Sequence, residues 1–168
     1  MYQNKDHTNQ RHTVIKSNNI DISNQNSLLD ITNKISKLIK KGDNLLLFGE
    51  LGVGKTTFTR NLINQIQNNF KNNNTEVLSP TFNILNEYQV NSLTIKHYDL
   101  YRIKEQEELE NLSLFEEKDD INIIEWPEIL KSYEIKSINF KFSYSKNFEK
   151  RNLIISSNYH NKIVDEFK

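Results

Sequence analysis

Cysteine is absent from this 168-residue chain, and glycine occurs four times, proline twice and tryptophan once. Without cysteine there is no disulfide, thiolate metal site or thiol nucleophile, and a reducing compartment suits the chain. No apolar run approaches the ~18 residues of a membrane-spanning helix, and the N-terminal MYQNKDHTNQRH has no apolar core of the kind a secretory leader needs. The expectation is a soluble cytoplasmic protein with no membrane association, whose residues 1–12 form a mobile tail. An excess of either charge is lacking too: Lys+Arg and Asp+Glu are both 22. That excludes a general nucleic-acid coat or membrane-surface binder and leaves room only for a local basic patch.

Hydrophobic residues make up 36% of the chain and the mean hydropathy is −0.71. Asparagine and lysine supply much of that polarity between clearly patterned segments, so one domain over 13–168 with a small two- or three-layer core is expected. The run QNNFKNNN at 67–74 reads as solvated loop or helix-end filler. From Ser23, a candidate N-cap, Leu28, Ile31, Ile35, Leu38 and Ile39 recur at helical spacing, and Gly42 stands where such a helix would stop. NLLLF at 44–48 is a continuous apolar run, as in a strand buried on both faces. Phe58, Leu62 and Ile66 then mark a helix from 55 to 69.

TFNILNEYQV and SLTIKHYDL read as a hairpin turning near Asn91 and Ser92, and EQEELENL as a short acidic helix. INII at 121–124 is a second buried strand ending in Glu125, and Pro127 suits the first turn of a short helix. SINFKFSYS and RNLIISS read as edge or antiparallel strands, followed by an amphipathic tail from 158.

Three of the four glycines fall in one loop, Gly49-Glu50-Leu51-Gly52-Val53-Gly54-Lys55-Thr56, which satisfies G-x-x-x-x-G-K-[ST] between a strand and a helix. Glycine there lets successive backbone N–H groups reach phosphate oxygens, and the loop feeds the positive end of a helix. Lys55 would reach the β- and γ-phosphates, Thr56 would place its hydroxyl on Mg²⁺ and Thr57 could bond the α-phosphate. Turnover also needs acids, and two strand ends offer them: Glu125 after INII and Asp99 after LTIKHY. Glu125 could instead be a helix first-turn acid, and Asp99 a strand-end turn residue. His97 shares the face of Asp99 at the strand repeat, and could equally be structural.

GELGVGKTTFTR, SPTF (79–82), HYDLYR (97–102) and EWPE (125–128), in this order, resemble the TsaE (YjeE) family, the small P-loop ATPase of bacterial threonylcarbamoyladenosine tRNA modification, over about residues 20 to 145. The resemblance implies a compact α/β P-loop NTPase fold with a mixed central sheet flanked by helices. It also implies an ATPase that works with the TsaB and TsaD proteins on adenosine 37 of ANN-decoding tRNAs and touches tRNA through that complex. It assigns Mg²⁺ to Thr56 and Glu125, ATP turnover to Asp99, a γ-phosphate-sensing segment to Thr81 and the flank of the ATP/ADP site to Trp126. Two positions depart from the pattern: Val53 where alanine is common, and Ser113 where glycine is common. A nucleotide-dependent regulatory module with little turnover is the alternative. A small-molecule kinase lacks its arginine-rich lid here, and a GTPase lacks an N-K-x-D after a strand.

Overall fold

The computed structural model describes residues 13–168. The segment 1–12, expected to be a tail, lies outside the described residues. The chain order is β1 (Ile15–Lys16), β2 (Ile20–Asp21), α1 (Gln25–Ser36), β3 (Asn44–Phe48), α2 (Lys55–Asn69), β4 (Leu85–Val90), β5 (Leu93–Asp99), α3 (Gln106–Glu110), β6 (Ile121–Glu125), a 3₁₀ turn (Pro127–Ser132), β7 (Ile138–Tyr144), β8 (Arg151–Ser157) and α4 (Asn161–Asp165).

The strands form one eight-stranded sheet in the order β1-β8-β7-β3-β6-β5-β4, with β2 also on β8. β7, β3, β6 and β5 run parallel, while β4, β8 and the two short N-terminal strands pair antiparallel at the flanks. This is the expected mixed α/β sheet. The continuous apolar runs of β3 and β6 lie at its centre because both faces are covered there. One face, carrying Leu45, Leu47, Ile123 and Phe140, packs with apolar residues of α1, α2 and α4 in the larger core. The other, carrying Leu46, Ile124 and Tyr98, packs with Leu109 and Leu130 in a smaller one.

Several boundaries differ from expectation. The N-cap of α1 is Asn24, whose side chain accepts from the Asn26 N–H, because the Ser23 hydroxyl is taken by the backbone N–H of Arg151. The helix ends at Ser36 rather than near Gly42. Leu38 and Ile39 still pack on the core, from a turn in which both N–H groups donate to the Ile35 carbonyl. Residues 81–84 belong to a turn rather than to the hairpin strand, and Ile84 has φ 67°.

β7 is not an edge strand. Its alternation of Ile138, Phe140 and Phe142 with Asn139, Lys141 and Ser143 reports one open face, while β3 and β8 pair both its edges. Gln67, grouped with solvated filler, is 1% exposed and holds Thr75 through both amide atoms.

Candidate nucleotide site

The loop 49–54 joins β3 to α2 at the carboxyl ends of the parallel strands, the edge where open α/β sheets place ligands. Gly49 is required by close approach: a Cβ there would lie 2.7 Å from the Phe142 carbonyl oxygen on β7. Gly54 caps α2 with φ 117°, an angle other residues rarely adopt, and a Cβ there would meet nothing within 4 Å. The first glycine therefore lets the loop pack, and the last lets it turn into the helix. Val53 points the other way and is fully buried in the larger core, whereas Leu51 at the tip is 74% exposed.

The loop opens onto a cavity of about 250 Å³ lined by Leu51, Gly52, Gly54, Lys55, Thr56, Thr57, Ser79, Thr81, Asp99, Glu125 and Trp126. Lys55 is buried, and its Nζ donates to the carbonyls of Gly49 (2.6 Å) and Glu50 (3.0 Å). It also stands 3.7 Å from the centroid of the Trp126 ring, a cation–π contact. Burial holds this ammonium below the usual lysine range, and the charges of Glu125, Glu128 and Asp99 oppose that shift.

The two acids are register partners on neighbouring parallel strands, so their side chains leave the sheet on the same face. They are bonded differently. Glu125 is 2% exposed and accepts from the Thr56 hydroxyl at 3.0 Å on Oε2, while its Oε1 is 2.9 Å from His97 Nε2. Asp99 accepts from the Thr81 hydroxyl at 2.6 Å on Oδ2 and from the Tyr101 N–H at 3.0 Å on Oδ1. Thr81 has one hydroxyl hydrogen and gives it to Asp99, so Ser79, 2.8 Å away, is the donor to Thr81. Asp99 thus holds a turn through one oxygen, as a strand-end residue does, and faces the cavity as well. The helix first-turn acid after Pro127 is Glu128, not Glu125.

Trp126 has φ 58° and ψ 53°, a left-handed conformation that costs a bulky residue about 1–2 kcal/mol. That turn, tied by the Trp126 N–H to the Leu47 carbonyl, places the indole beside Lys55 and 4.9 Å from the Tyr101 ring.

Among the described residues no group of three or more His, Asp or Glu could hold a metal ion by itself. A cation here would draw most of its ligands from phosphate and water, which is how magnesium binds. The Thr56–Glu125 pair at the cavity supplies the hydroxyl and carboxylate oxygens such an ion takes.

The sequence model of the family described as Threonylcarbamoyl adenosine biosynthesis protein TsaE matches residues 22–153. The chain belongs to the TsaE family. The TsaE protein of Rickettsia felis is 45% identical over 106 residues, covering 60% of this chain and 59% of that protein. The chain therefore spans about three fifths of that relative's length. The TsaE protein of Haemophilus influenzae is 31% identical over 159 residues, covering 87% of this chain and 94% of that protein. The crystal structure of Bacillus subtilis YdiB superposes with a TM-score of 0.70 at 21% identity, over 93% of this chain and 96% of that one. The fold is that of a P-loop NTPase.

The candidate site residues read from the sequence all lie at this edge of the sheet, with Gly49, Glu50 and Val53 in the loop and the rest lining the cavity. Ser79 and His97 join the network without having been counted among the site residues. Ser79 stands in SPTF beside Thr81, and the strand repeat already put His97 on the Asp99 face, although its partner is Glu125. Ser113, the departure at the end of α3, has φ 48°, the left-handed conformation for which glycine is the usual choice.

Proposed function

We propose that this chain binds magnesium ATP in the 49–56 cradle and hydrolyses it to ADP and phosphate, in support of threonylcarbamoyladenosine formation at adenosine 37 of tRNA. The observation that carries this reading is the convergence of Lys55, Thr56, Asp99 and Glu125 on one cavity beneath the N-terminus of α2. Backbone N–H groups of the loop and the positive end of α2 would bind the phosphates. Lys55 would exchange its bonds to the Gly49 and Glu50 carbonyls for phosphate oxygens. Thr56 and Glu125 would hold a magnesium ion, whose charge neutralises the β- and γ-phosphate oxygens. Asp99, held at both oxygens, is set to orient a water molecule and take its proton, with Thr81 beside it toward the γ-phosphate. Trp126 would flank the bound nucleotide.

Two observations favour slow turnover until a partner docks. Lys55 is engaged by the loop's own carbonyls, and among the described residues no arginine lines the cavity to stabilise developing charge. TsaB and TsaD are the partners we assign, with tRNA reached through their complex in the cytoplasm, and residues 13–168 acting as one NTPase domain. Among the described residues no helix is long and apolar enough to cross a membrane. The same observations support a second reading, a regulatory module whose bound state rather than hydrolysis acts on its partners.

The test is ATP hydrolysis by the chain alone, then with TsaB and TsaD, with tRNA added last. Stimulation only in the mixture supports the ATPase, and tight ADP retention without turnover in any mixture supports the module. Asp99→Asn should lower turnover about a hundredfold or more, the range of a lost general base, with ADP affinity changed by less than about threefold. Normal hydrolysis by that variant in the full mixture would make Asp99 a turn residue only.

A further inference from the structure

His97 takes no part in the chemistry just described and does not line the cavity, yet it is fully buried one strand repeat behind Asp99. A carboxylate as buried as Glu125 needs hydrogen bonds on its oxygens, and each oxygen has one donor from a different element. Thr56 approaches Oε2 from α2 at 3.0 Å, and His97 approaches Oε1 from β5 at 2.9 Å. The register places His97 opposite Ile123, so the imidazole reaches diagonally forward to the residue two places on along β6.

The other ring nitrogen settles which tautomer this is. Nδ1 is buried and has no hydrogen-bond partner among the described residues. A hydrogen on Nδ1 would leave a buried donor unmet and turn the Nε2 lone pair toward a carboxylate oxygen. A hydrogen on Nε2 makes the bond and leaves only an acceptor unmet, which is the smaller loss.

We propose that His97 is a positioning residue for Glu125, pinning one carboxylate oxygen so that the other stays turned toward Thr56 and the cation position. This rests on the magnesium-nucleotide reading above. The two bonds differ in what they do. Thr56 Oγ faces the cavity and must also serve a cation, whereas His97 lies behind the carboxylate where no ligand enters, so its bond holds whether or not the site is filled. Outer-shell partners that orient a ligand in this way typically carry a 10- to 100-fold effect on metal affinity.

The test is ADP binding by the full chain, followed by calorimetry over a magnesium series and in chelator. His97→Leu keeps the bulk and removes the donor, and should raise the half-saturating magnesium concentration by about tenfold or more while leaving chelator-state ADP affinity unchanged. His97→Gln, whose amide nitrogen can reach the position of Nε2, should restore the magnesium dependence to within about threefold of wild type. A purely structural histidine would change the melting temperature and leave magnesium half-saturation alone, and that result in His97→Leu overturns the proposal.

Multiple-bond ¹⁵N–¹H spectra of the wild-type chain do not depend on any variant folding. They should show hydrogen on His97 Nε2, and a bare Nε2 with the hydrogen on Nδ1 alone would overturn the assignment. A wild-type chain that binds no ADP at any magnesium concentration would sink the nucleotide reading itself, an outcome separate from normal magnesium dependence in His97→Leu.

Discussion

Lys55 is the residue on which opposing effects are most nearly balanced. Its ammonium is buried, bonded to two carbonyls of its own loop and stacked on Trp126, while burial weakens its hold on the proton. A nucleotide therefore gains less from Lys55 than from a free lysine, because the existing bonds must be given up first. Charge-assisted hydrogen bonds contribute about 1.5–3 kcal/mol, so Lys55→Ala should weaken ADP binding nearer tenfold than a hundredfold. Calorimetric titration measures this, and an unchanged dissociation constant would remove Lys55 from the phosphate site. At this scale the sequence was most legible. The spacing of Gly49, Gly54, Lys55 and Thr56 is local, and phosphate-binding loops depend on local backbone angles. What spacing left open was the bonding of the acids: Glu125 pairs with Thr56, Asp99 with Thr81, and His97 with Glu125 rather than with its strand neighbour.

Among the elements, α3 carries a local conflict that substitution can relieve. Ser113 sits exposed beyond its last turn with φ 48°, where an L-residue with a Cβ pays about 1 kcal/mol and glycine does not. Ser113→Gly should raise stability by about 0.5–1 kcal/mol, the lower figure allowing for the extra freedom of glycine in the unfolded chain. Urea unfolding checks it, and a loss of stability would show that the Ser113 side chain matters in a way its exposure hides. Element type was readable where the helical period was strong, as in α2, and where a short apolar run was continuous, as in β3 and β6. The ends of α2 and β3 were legible as well, but the start of α1 was not, because a competing partner decided it: Arg151 takes the Ser23 hydroxyl, and Asn24 caps the helix instead. The turn at 81–84 looked like strand because Thr81, Phe82 and Ile84 are strand-favouring residue types, yet those residues swing out to bring Thr81 onto Asp99.

Across the whole molecule, the chain's last segment ties the opposite end of the sheet. The Tyr159 hydroxyl donates to Asp43 Oδ1 at 3.0 Å, just before β3, and α4 buries Ile163 and Val164 in the larger core. Burial first, then the Asp43 charge and this hydrogen bond, push the Tyr159 phenol well above its ordinary value. The unfolded phenol ionises near pH 10 while the folded one keeps its proton. The stabilisation is therefore complete below about pH 10 and falls as pH rises beyond it, because the unfolded state sheds its proton first. Tyr159 is 36% exposed, so solvent screens the pair. Tyr159→Phe should cost about 0.5 kcal/mol at neutral pH, the low end for a hydrogen bond, and should flatten the alkaline decline. Urea unfolding at about pH 8 and pH 10.5, either side of the unfolded phenol's ordinary value, tests both parts, and parallel declines in the two proteins would refute the linkage.

By itself the sequence determined the strand-loop-helix unit from 44 to 69, the buried character of β3 and β6 and the presence of acids at two strand ends, since each depends on residues a few positions apart. Tertiary structure alone decided that β6 inserts between β3 and β5, placing Glu125 beside Leu47 and Asp99, and that β7 lies inside the sheet. Strand order is set by pairing and layer packing between segments far apart in the chain, and side-chain periodicity carries no information about which strand lies alongside.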